Sequence, residues 1–348
     1  MNALRRLLAP SLLAPLAALL LASAAVSLTT SRFLDPQNLL NISLQVSIVS
    51  IMAIGSTMVI LTGGIDLSPG SMVALLTMLM ALFITQDQLP LALVIVLVIL
   101  IGSALGAVNG ALVAYGRIPS FIVTLATLSV FKGWAFLYNQ GAPIFSVSPL
   151  LDPIFYGRVF GIPLPFIYVL VCFAVAYVLL NYTMAGRAIY AVGGNDSAAR
   201  FSGINVRRTR MLAYTMAGAT AGIASVLMAA RLDSGSPNYG SGMELQAIGA
   251  AVIGGASLSG GYGNVIATLI GALTIVVVQN GLNLNAVPTS WQLITLGAII
   301  AFAVGLDSWR VQIVGLVRHR FKRGPRPVGA TVTDITAGQE PEVGKRQD

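Results

Sequence analysis

Charge is scarce in this chain: only 9% of its 348 residues are Asp, Glu, Lys or Arg, against roughly a quarter in a soluble domain. That deficit excludes a water-solvated globular fold, because too few polar groups remain to cover one. There is one cysteine, Cys172, and one histidine, His319. A single thiol rules out an intrachain disulfide framework and a cysteine-based zinc site. The histidine falls in a basic run near the C-terminus, which leaves the apolar part without an imidazole for metal binding or general-base work. The three lysines, Lys132, Lys322 and Lys345, stand outside any Gly-x4-Gly-Lys-Ser/Thr context, so no phosphate-cradling loop of that type is present. Intramembrane proteolysis is excluded on similar grounds. A serine enzyme needs histidine within the bilayer and an aspartyl enzyme needs two facing carboxylates, whereas only Asp66 and Glu244 come near, each at a block end.

Apolar sequence fills the space that charge leaves. The nine hydrophobic types make up 56% of residues and mean hydropathy is +0.84. Apolar blocks at 7–28, 39–62, 68–85, 89–115, 119–138, 162–182, 210–230, 243–259, 264–282 and 290–306 each approach the ~20 residues of a bilayer crossing. They predict an all-α polytopic membrane protein of about ten transmembrane helices. The formal charge of +8 is unevenly placed. With a cytoplasmic N-terminus, the inner segments hold Arg5, Arg6, Arg117, Arg187, Arg200, Arg207, Arg208, Arg210, Arg310, Arg318, Arg320, Lys322, Arg323 and Arg326, and the outer ones only Arg32, Arg158 and Arg231. This asymmetry puts both termini in the cytoplasm and reads the basic excess as orientation, not as a nucleic-acid surface. Arg5, Arg6, the first apolar run and Ala22-Ser23-Ala24 fit a retained anchor or a cleavable signal peptide; a retained anchor is the expectation. The chain then divides into one transmembrane domain, 1–323, and a polar cytoplasmic tail, 324–348, expected to be disordered.

Two segments echo one another: Gly63-Gly64-Ile65-Asp66-Leu67-Ser68-Pro69-Gly70 and Gly254-Gly255-Ala256-Ser257-Leu258-Ser259-Gly260-Gly261, each after an Ala-Ile-Gly. Gly63, Gly64, Gly254 and Gly255 read as structural turns. Ser68 followed by Pro69 is an N-cap and first-turn signature, and Asp66 is expected to order that turn instead of carrying a proton. Gly102, Gly106 and Gly110, and Gly218 with Gly222, are small residues at helical spacing that permit close helix approach in lipid.

The longest inner connection between blocks runs from Thr183 to Val206. Gly193 and Gly194 should break the chain, Asn195 or Asp196 cap a new N-terminus, and Gly203 end a short helix at about 195–203. Ala198, Ala199 and Phe201 beside Asp196 and Arg200 give this helix a mixed surface, suited to docking in a protein groove.

This loop resembles the coupling segment of permease subunits of monosaccharide ABC importers, the ribose-type branch that also includes galactose, xylose and autoinducer-2 transporters. Further matching motifs are Gly63-Gly64-Ile65-Asp66-Leu67-Ser68 with Gly70-Ser71, Asn109-Gly110, Ile118-Pro119-Ser120-Phe121-Ile122-Val123-Thr124-Leu125, Lys132-Gly133 and Ile253-Gly254-Gly255-Ala256-Ser257-Leu258-Ser259-Gly260-Gly261, across about residues 35–310. Pro69 and Lys132 depart from the family pattern. The resemblance implies a type II ABC importer-like permease in a bacterial inner membrane. It also implies a second permease chain, identical or similar, an ABC ATPase that binds ATP and Mg, and a periplasmic sugar-binding protein, with no cofactor on this chain. Gly193, Gly194, Asn195, Asp196, Ala198, Ala199, Arg200, Phe201 and Gly203 would then be the ATPase contact. Two alternatives stay open: a branched-chain amino acid ABC permease, and a proton-coupled secondary transporter working through Asp66 or Glu244.

A sugar pathway needs hydroxyl-compatible partners without strong fixed charge. Asn41, Gln45, Asn109, Thr124, Thr127, Gln279 and Asn280 are the candidates, with Phe121 as an aromatic surface. Lys132, near the end of its block, is expected to snorkel outward.

Overall fold

The computed structural model describes residues 10–321. Arg5, Arg6 and the tail expected from 324 onward lie outside the described residues. The chain forms α1 (Pro10–Thr29), α2 (Pro36–Leu61), α3 (Pro69–Thr85), α4 (Leu91–Ala114), α5 (Ser120–Leu137), β1 (Ile144–Phe145), α6 (Asp152–Tyr156), β2 (Arg158–Val159), β3 (Ile162–Pro163) and α7 (Leu164–Tyr182). It continues through α8 (Met184–Gly194), α9 (Asp196–Phe201), α10 (Val206–Leu232), β4 (Ser234–Gly235), α11 (Met243–Ile253), α12 (Val265–Leu284) and α13 (Thr289–Phe321). Every apolar block of the sequence contains a helix. Among the described residues, seven helices are long and apolar enough to cross a bilayer, and α3, α11 and the Thr289–Gly305 part of α13 are shorter apolar helices. The chain divides into two units at Asp307 and Ser308. In the second, the described residues, up to Phe321, are helical.

Within the first unit α2 and α3 form the centre. α2 is buried on all sides from Val46 to Leu61, and α3 from Pro69 to Met78, as expected for helices that are apolar all round. α1, α4 and α7 instead expose Leu20, Leu21, Leu100, Val171 and Val175, side chains that lipid covers in a polytopic protein. The glycine stripes act as the sequence implies. A Cβ on Gly106 would overlap the Tyr214 carbonyl, and one on Gly218 the Gly102 carbonyl, so α4 and α10 pack backbone to backbone. Polar bonds tie other helices: Asn38 and Asn280 exchange two hydrogen bonds of 3.0 and 2.8 Å, and the Thr57 and Thr268 hydroxyls lie 2.9 Å apart.

One end of the bundle carries the 62–68 turn, α8, α9 and the 254–263 turn. The other carries two short sheets, β1 with β4 and β2 with β3, where Tyr156 Oη donates to the Arg231 carbonyl (2.8 Å) and the Ser148 amide to Asp233 Oδ1 (2.9 Å). The apolar block at 243–259 is not one continuous helix, which corrects the expectation of a full span there. α11 has 11 residues, about 16 Å of rise, or half a hydrocarbon core. Glycines with positive φ at 255, 260 and 261 end its helical path. Ahead of it, residues 236–242 run without helix along α3. A Cβ on Gly235 would overlap the Thr77 carbonyl and one on Gly240 the Gly70 carbonyl. Non-helical backbone is tolerated at membrane depth where protein buries it.

Candidate functional site

The Thr183–Val206 connection folds as two helices. Thr183 Oγ1 accepts from the Gly186 amide (3.1 Å) to start α8. Gly193 and Gly194 do not break the chain, contrary to the sequence reading: both belong to α8, because neither requires positive φ and the helical path remains open to them. The break falls at Asn195, whose extended backbone (φ −163°) lets Oδ1 accept from the Ala198 amide (2.9 Å). The helix α9 then closes with Gly203 at φ +80°, the Gly203 amide bonding Arg200 O (3.1 Å) and the Ile204 amide Ala199 O (3.0 Å). That pair of bonds is a Schellman closure. Asp196 lies 3.5 Å from both Arg200 and Arg210, and the second contact ties α9 to α10.

The two faces of α9 differ sharply. Ala199 is 4% exposed and packs with Val192 and Val206, so it belongs to the interior of this connection and does not present a docking surface. Phe201 is 91% exposed, and Ala198, Arg200 and Gly203 are exposed with it. An aromatic ring held out from a doubly capped helix is a knob on a fixed base.

Next to α9, at the end of α8, three stretches of backbone converge. A Cβ on Gly193 would overlap the Leu61 carbonyl and the Gly261 amide. The Gly261 amide donates to Leu61 O (2.9 Å), and a Cβ on Gly260 would stand 2.8 Å from Gly63 N and 2.9 Å from Gly193 O. Tyr190 Oη also bonds Gly263 O (3.0 Å). The two echoing glycine-rich segments therefore touch each other, and the end of α8 is wedged against both. Gly64 is equally confined, since its Cβ would lie 2.6 Å from Tyr214 Oη. Gly254 packs on Ala267, and Gly255 turns the chain at φ +82°.

Asp66 orders the neighbouring turn. Its Oδ1 accepts from both the amide (2.9 Å) and the hydroxyl (2.7 Å) of Ser68. Ser68 is the N-cap residue by position, but its hydroxyl does not cap α3. It donates to Asp66 and accepts from Asn109 Nδ2 (2.9 Å), a stronger option because the acceptor is ionisable. Thr124 Oγ1 donates to Ile65 O (3.2 Å) and Ser120 Oγ accepts from Ile65 N (3.1 Å). Burial pushes the Asp66 carboxyl up, against the Ser68 hydrogen bonds that pull it down. Asp66 Oδ2 and Asn109 Oδ1 are buried without a hydrogen-bond partner.

The proposed pathway residues do not converge. Asn109 and Thr124 belong to the Asp66 turn, Thr127 bonds its own helix at Thr124 O (3.3 Å), and Asn280 is bound to Asn38. Asn41 and Phe121 are exposed, while Gln45 and Gln279 are half-buried. The polar space within the bundle lies elsewhere, in a cavity of about 140 Å³ lined by Gly70, Ser71, Ala74, Leu128, Lys132, Pro237, Tyr239, Ser241, Gly242 and Glu244. Lys132 does not snorkel outward: its Nζ donates to Ser241 Oγ (3.4 Å) beside this cavity. The signal was present in the sequence, because an ionisable residue inside an apolar block marks function by default. Among the described residues, no group of three or more His, Cys, Asp or Glu could hold a metal ion.

Comparison with known proteins gives consistent results. The family described as branched-chain amino acid transport system / permease component matches residues 38–304. The ribose import permease protein of Bacillus subtilis (strain 168) is 43% identical over 297 residues, covering 85% of this chain and 92% of the relative. Its Escherichia coli (strain K12) counterpart is 41% identical over 297 residues, covering 84% and 92%. The D-allose transport system permease protein of the same strain is 36% identical over 281 residues, covering 81% and 86%. No solved structure matches the chain.

Proposed function

The chain belongs to the family of branched-chain amino acid transport system / permease components, and from that premise we propose that it is the membrane-spanning subunit of an ABC importer for a monosaccharide or similar polyol. It works by alternating access in a bacterial inner membrane. Sugar is favoured over the amino acid alternative because the individual relatives are ribose and D-allose permeases, whereas amino acids have only the family description behind them. A proton-coupled carrier is disfavoured because the relatives are sugar import and transport system permeases; Asp66 Oδ1 is in addition engaged by Ser68.

Energy comes from outside the chain. A partner ATPase binds ATP and Mg, and docks on the exposed side of α9; a periplasmic binding protein delivers sugar to the end that carries the short sheets. A second permease chain, identical or similar, completes the channel. The arginine distribution supports this orientation, since Arg117, Arg187, Arg200, Arg207, Arg208 and Arg210 fall at the end of the bundle that bears α8 and α9.

The observation that carries the reading is Phe201, a 91% exposed aromatic on a helix capped at both ends. Its support is backed by the Gly193, Gly260 and Gly63 contact, so a push on α9 reaches the ends of α2 and α11 through backbone with no side chain to absorb it. Reconstitution with the ATPase and binding protein in proteoliposomes tests the function. The expected result is D-ribose or D-allose uptake that requires ATP and is insensitive to a protonophore. Uptake driven by a pH gradient without ATP would overturn it.

A further inference from the structure

The cavity between α3, α5 and the start of α11 contains an arrangement that packing alone does not explain. Lys132 and Glu244 both line it, inside segments where an ionised side chain is costly and is usually paired. Yet Lys132 forms no ion pair within 4.0 Å: among the described residues the ion pairs are Asp196 with Arg200 and with Arg210. Its hydrogen bond is a single long one, 3.4 Å to Ser241 Oγ, out of the three that an ammonium can donate. Across the space the Glu244 carboxylate rests on Gly70, where any Cβ would overlap Oε2. Ser71 Oγ donates to Ser68 O (2.8 Å), which leaves its lone pairs for a donor in the cavity. The glycine thus keeps the carboxylate against the wall and the space open.

Along α5 the cavity sits from the middle of the helix towards its Leu137 end. Leu128 and Lys132 follow the start of α5 at Ser120 by 8 and 12 residues, roughly 12 and 18 Å of helical rise. The opposite wall is the non-helical 236–242 stretch and the first residues of the half-length α11. Broken helices meeting near the bilayer midplane are a recurring way to build a transported-substrate site.

We infer that this cavity is a transient polyol-binding site on the transport route, in which Glu244 accepts from substrate hydroxyls while Lys132 donates to them. The inference rests on the sugar-importer reading and adds to it where within the chain the substrate stops. One positive and one negative wall group suit a neutral ligand rich in hydroxyls, and Ala74, Leu128 and Pro237 offer apolar contact to its C–H faces. A volume of about 140 Å³, at ~30 Å³ per water, holds about five waters, room for the hydroxyl-bearing edge of a sugar. A zwitterionic amino acid would meet the same two charges and is the competing ligand in the test.

The test uses the complete transporter in membrane vesicles, with Cys172→Ala removing the native thiol and Ser241→Cys placing one in the cavity wall. A small charged methanethiosulfonate reagent should label position 241. Whichever of D-ribose and D-allose the unmodified transporter carries should slow that labelling about tenfold at ten times its half-saturating concentration, and L-leucine should not. Adding Lys132→Met should raise the sugar concentration for half-protection about tenfold, which is the loss of one charge-assisted hydrogen bond. Lys132→Arg should restore most of it. Ser71→Ala, a milder change, should raise it about threefold by removing one neutral hydrogen bond. An unlabelled position 241, labelling unaffected by the transported sugar, protection by L-leucine alone, or half-protection that neither Lys132→Met nor Ser71→Ala shifts would each overturn the site. Any of these with intact ATP-driven sugar uptake leaves the importer reading standing, whereas absence of such uptake from the unmodified transporter overturns that reading itself.

Discussion

Two regions of this bundle are built on opposite principles. At one end, backbone meets backbone at Gly193, Gly260 and Gly261, with no room for a methyl group. Elsewhere, Lys132, Ser241 and Glu244 help line a cavity of about 140 Å³. A close-packed junction has low compressibility and transmits displacement, whereas an open cavity has few contacts through which to do so. On the proposed function, work enters at the glycine junction and substrate rests at the cavity. Substitutions at the two regions should therefore fail differently.

The largest effect is expected at the junction. Gly193→Val drives a side chain into the Leu61 carbonyl and the Gly261 amide, where backbone, which cannot swing aside as a side chain would, must move. Overpacking of this kind costs about 1–3 kcal/mol or more, so sugar uptake should fall to background while the protein still reaches the membrane. Normal uptake would show that the junction is loose. Next comes the knob. Phe201→Glu changes no contact inside the bundle, yet should weaken ATPase retention on purification by roughly 30-fold, the ~2 kcal/mol of an interface hot spot. Ala199→Glu would not separate these ideas, because Ala199 packs against Val192 and Val206 and its replacement damages the connection itself.

A smaller effect is expected at the Asp66 turn. Asp66→Asn keeps an oxygen for the two Ser68 donors and should retain most transport, whereas Asp66→Leu strands both donors at about 1–3 kcal/mol and should lose it. Uptake by both variants, compared with membrane yield, decides between turn-ordering and proton-carrying roles. A pH-dependent rate abolished by Asp66→Asn would favour the latter. The smallest functional effect belongs to the helix ties. Asn280→Ala should lower thermal stability by about 1–2 kcal/mol, measured by unfolding in detergent, because it leaves Asn38 half-satisfied, with little change in uptake per folded transporter. A changed uptake rate would return Asn280 to the pathway.

Much of this architecture was legible from composition. Apolar blocks bounded by arginine and glycine locate the helices because the bilayer demands that backbone polar groups be satisfied within each segment, and the caps of α9 follow from Asn195 and Gly203 alone. Hydropathy alone did not show that α11 is half a span, because glycine and alanine from 247 to 256 keep the block apolar past the helix end. Polar residue type did not locate the cavity either. Asn109 and Asn280 bond to Ser68 and Asn38, partners about which nothing in their own segments informs, while the place of Lys132 near a block end suits an outward-reaching side chain equally well. Gly193 and Gly194 look like a break in the sequence because glycine permits a turn without requiring one; here Gly193 serves close approach.

The central claim is that α9 presents Phe201 to the ATPase. The most direct measurement replaces Phe201 with the photoreactive analogue p-benzoylphenylalanine in the active, membrane-embedded transporter and identifies what becomes covalently attached on illumination. The account predicts a product between this chain and the ATPase subunit, lost when the ATPase is stripped away. An active transporter that yields no ATPase product at position 201 would contradict it.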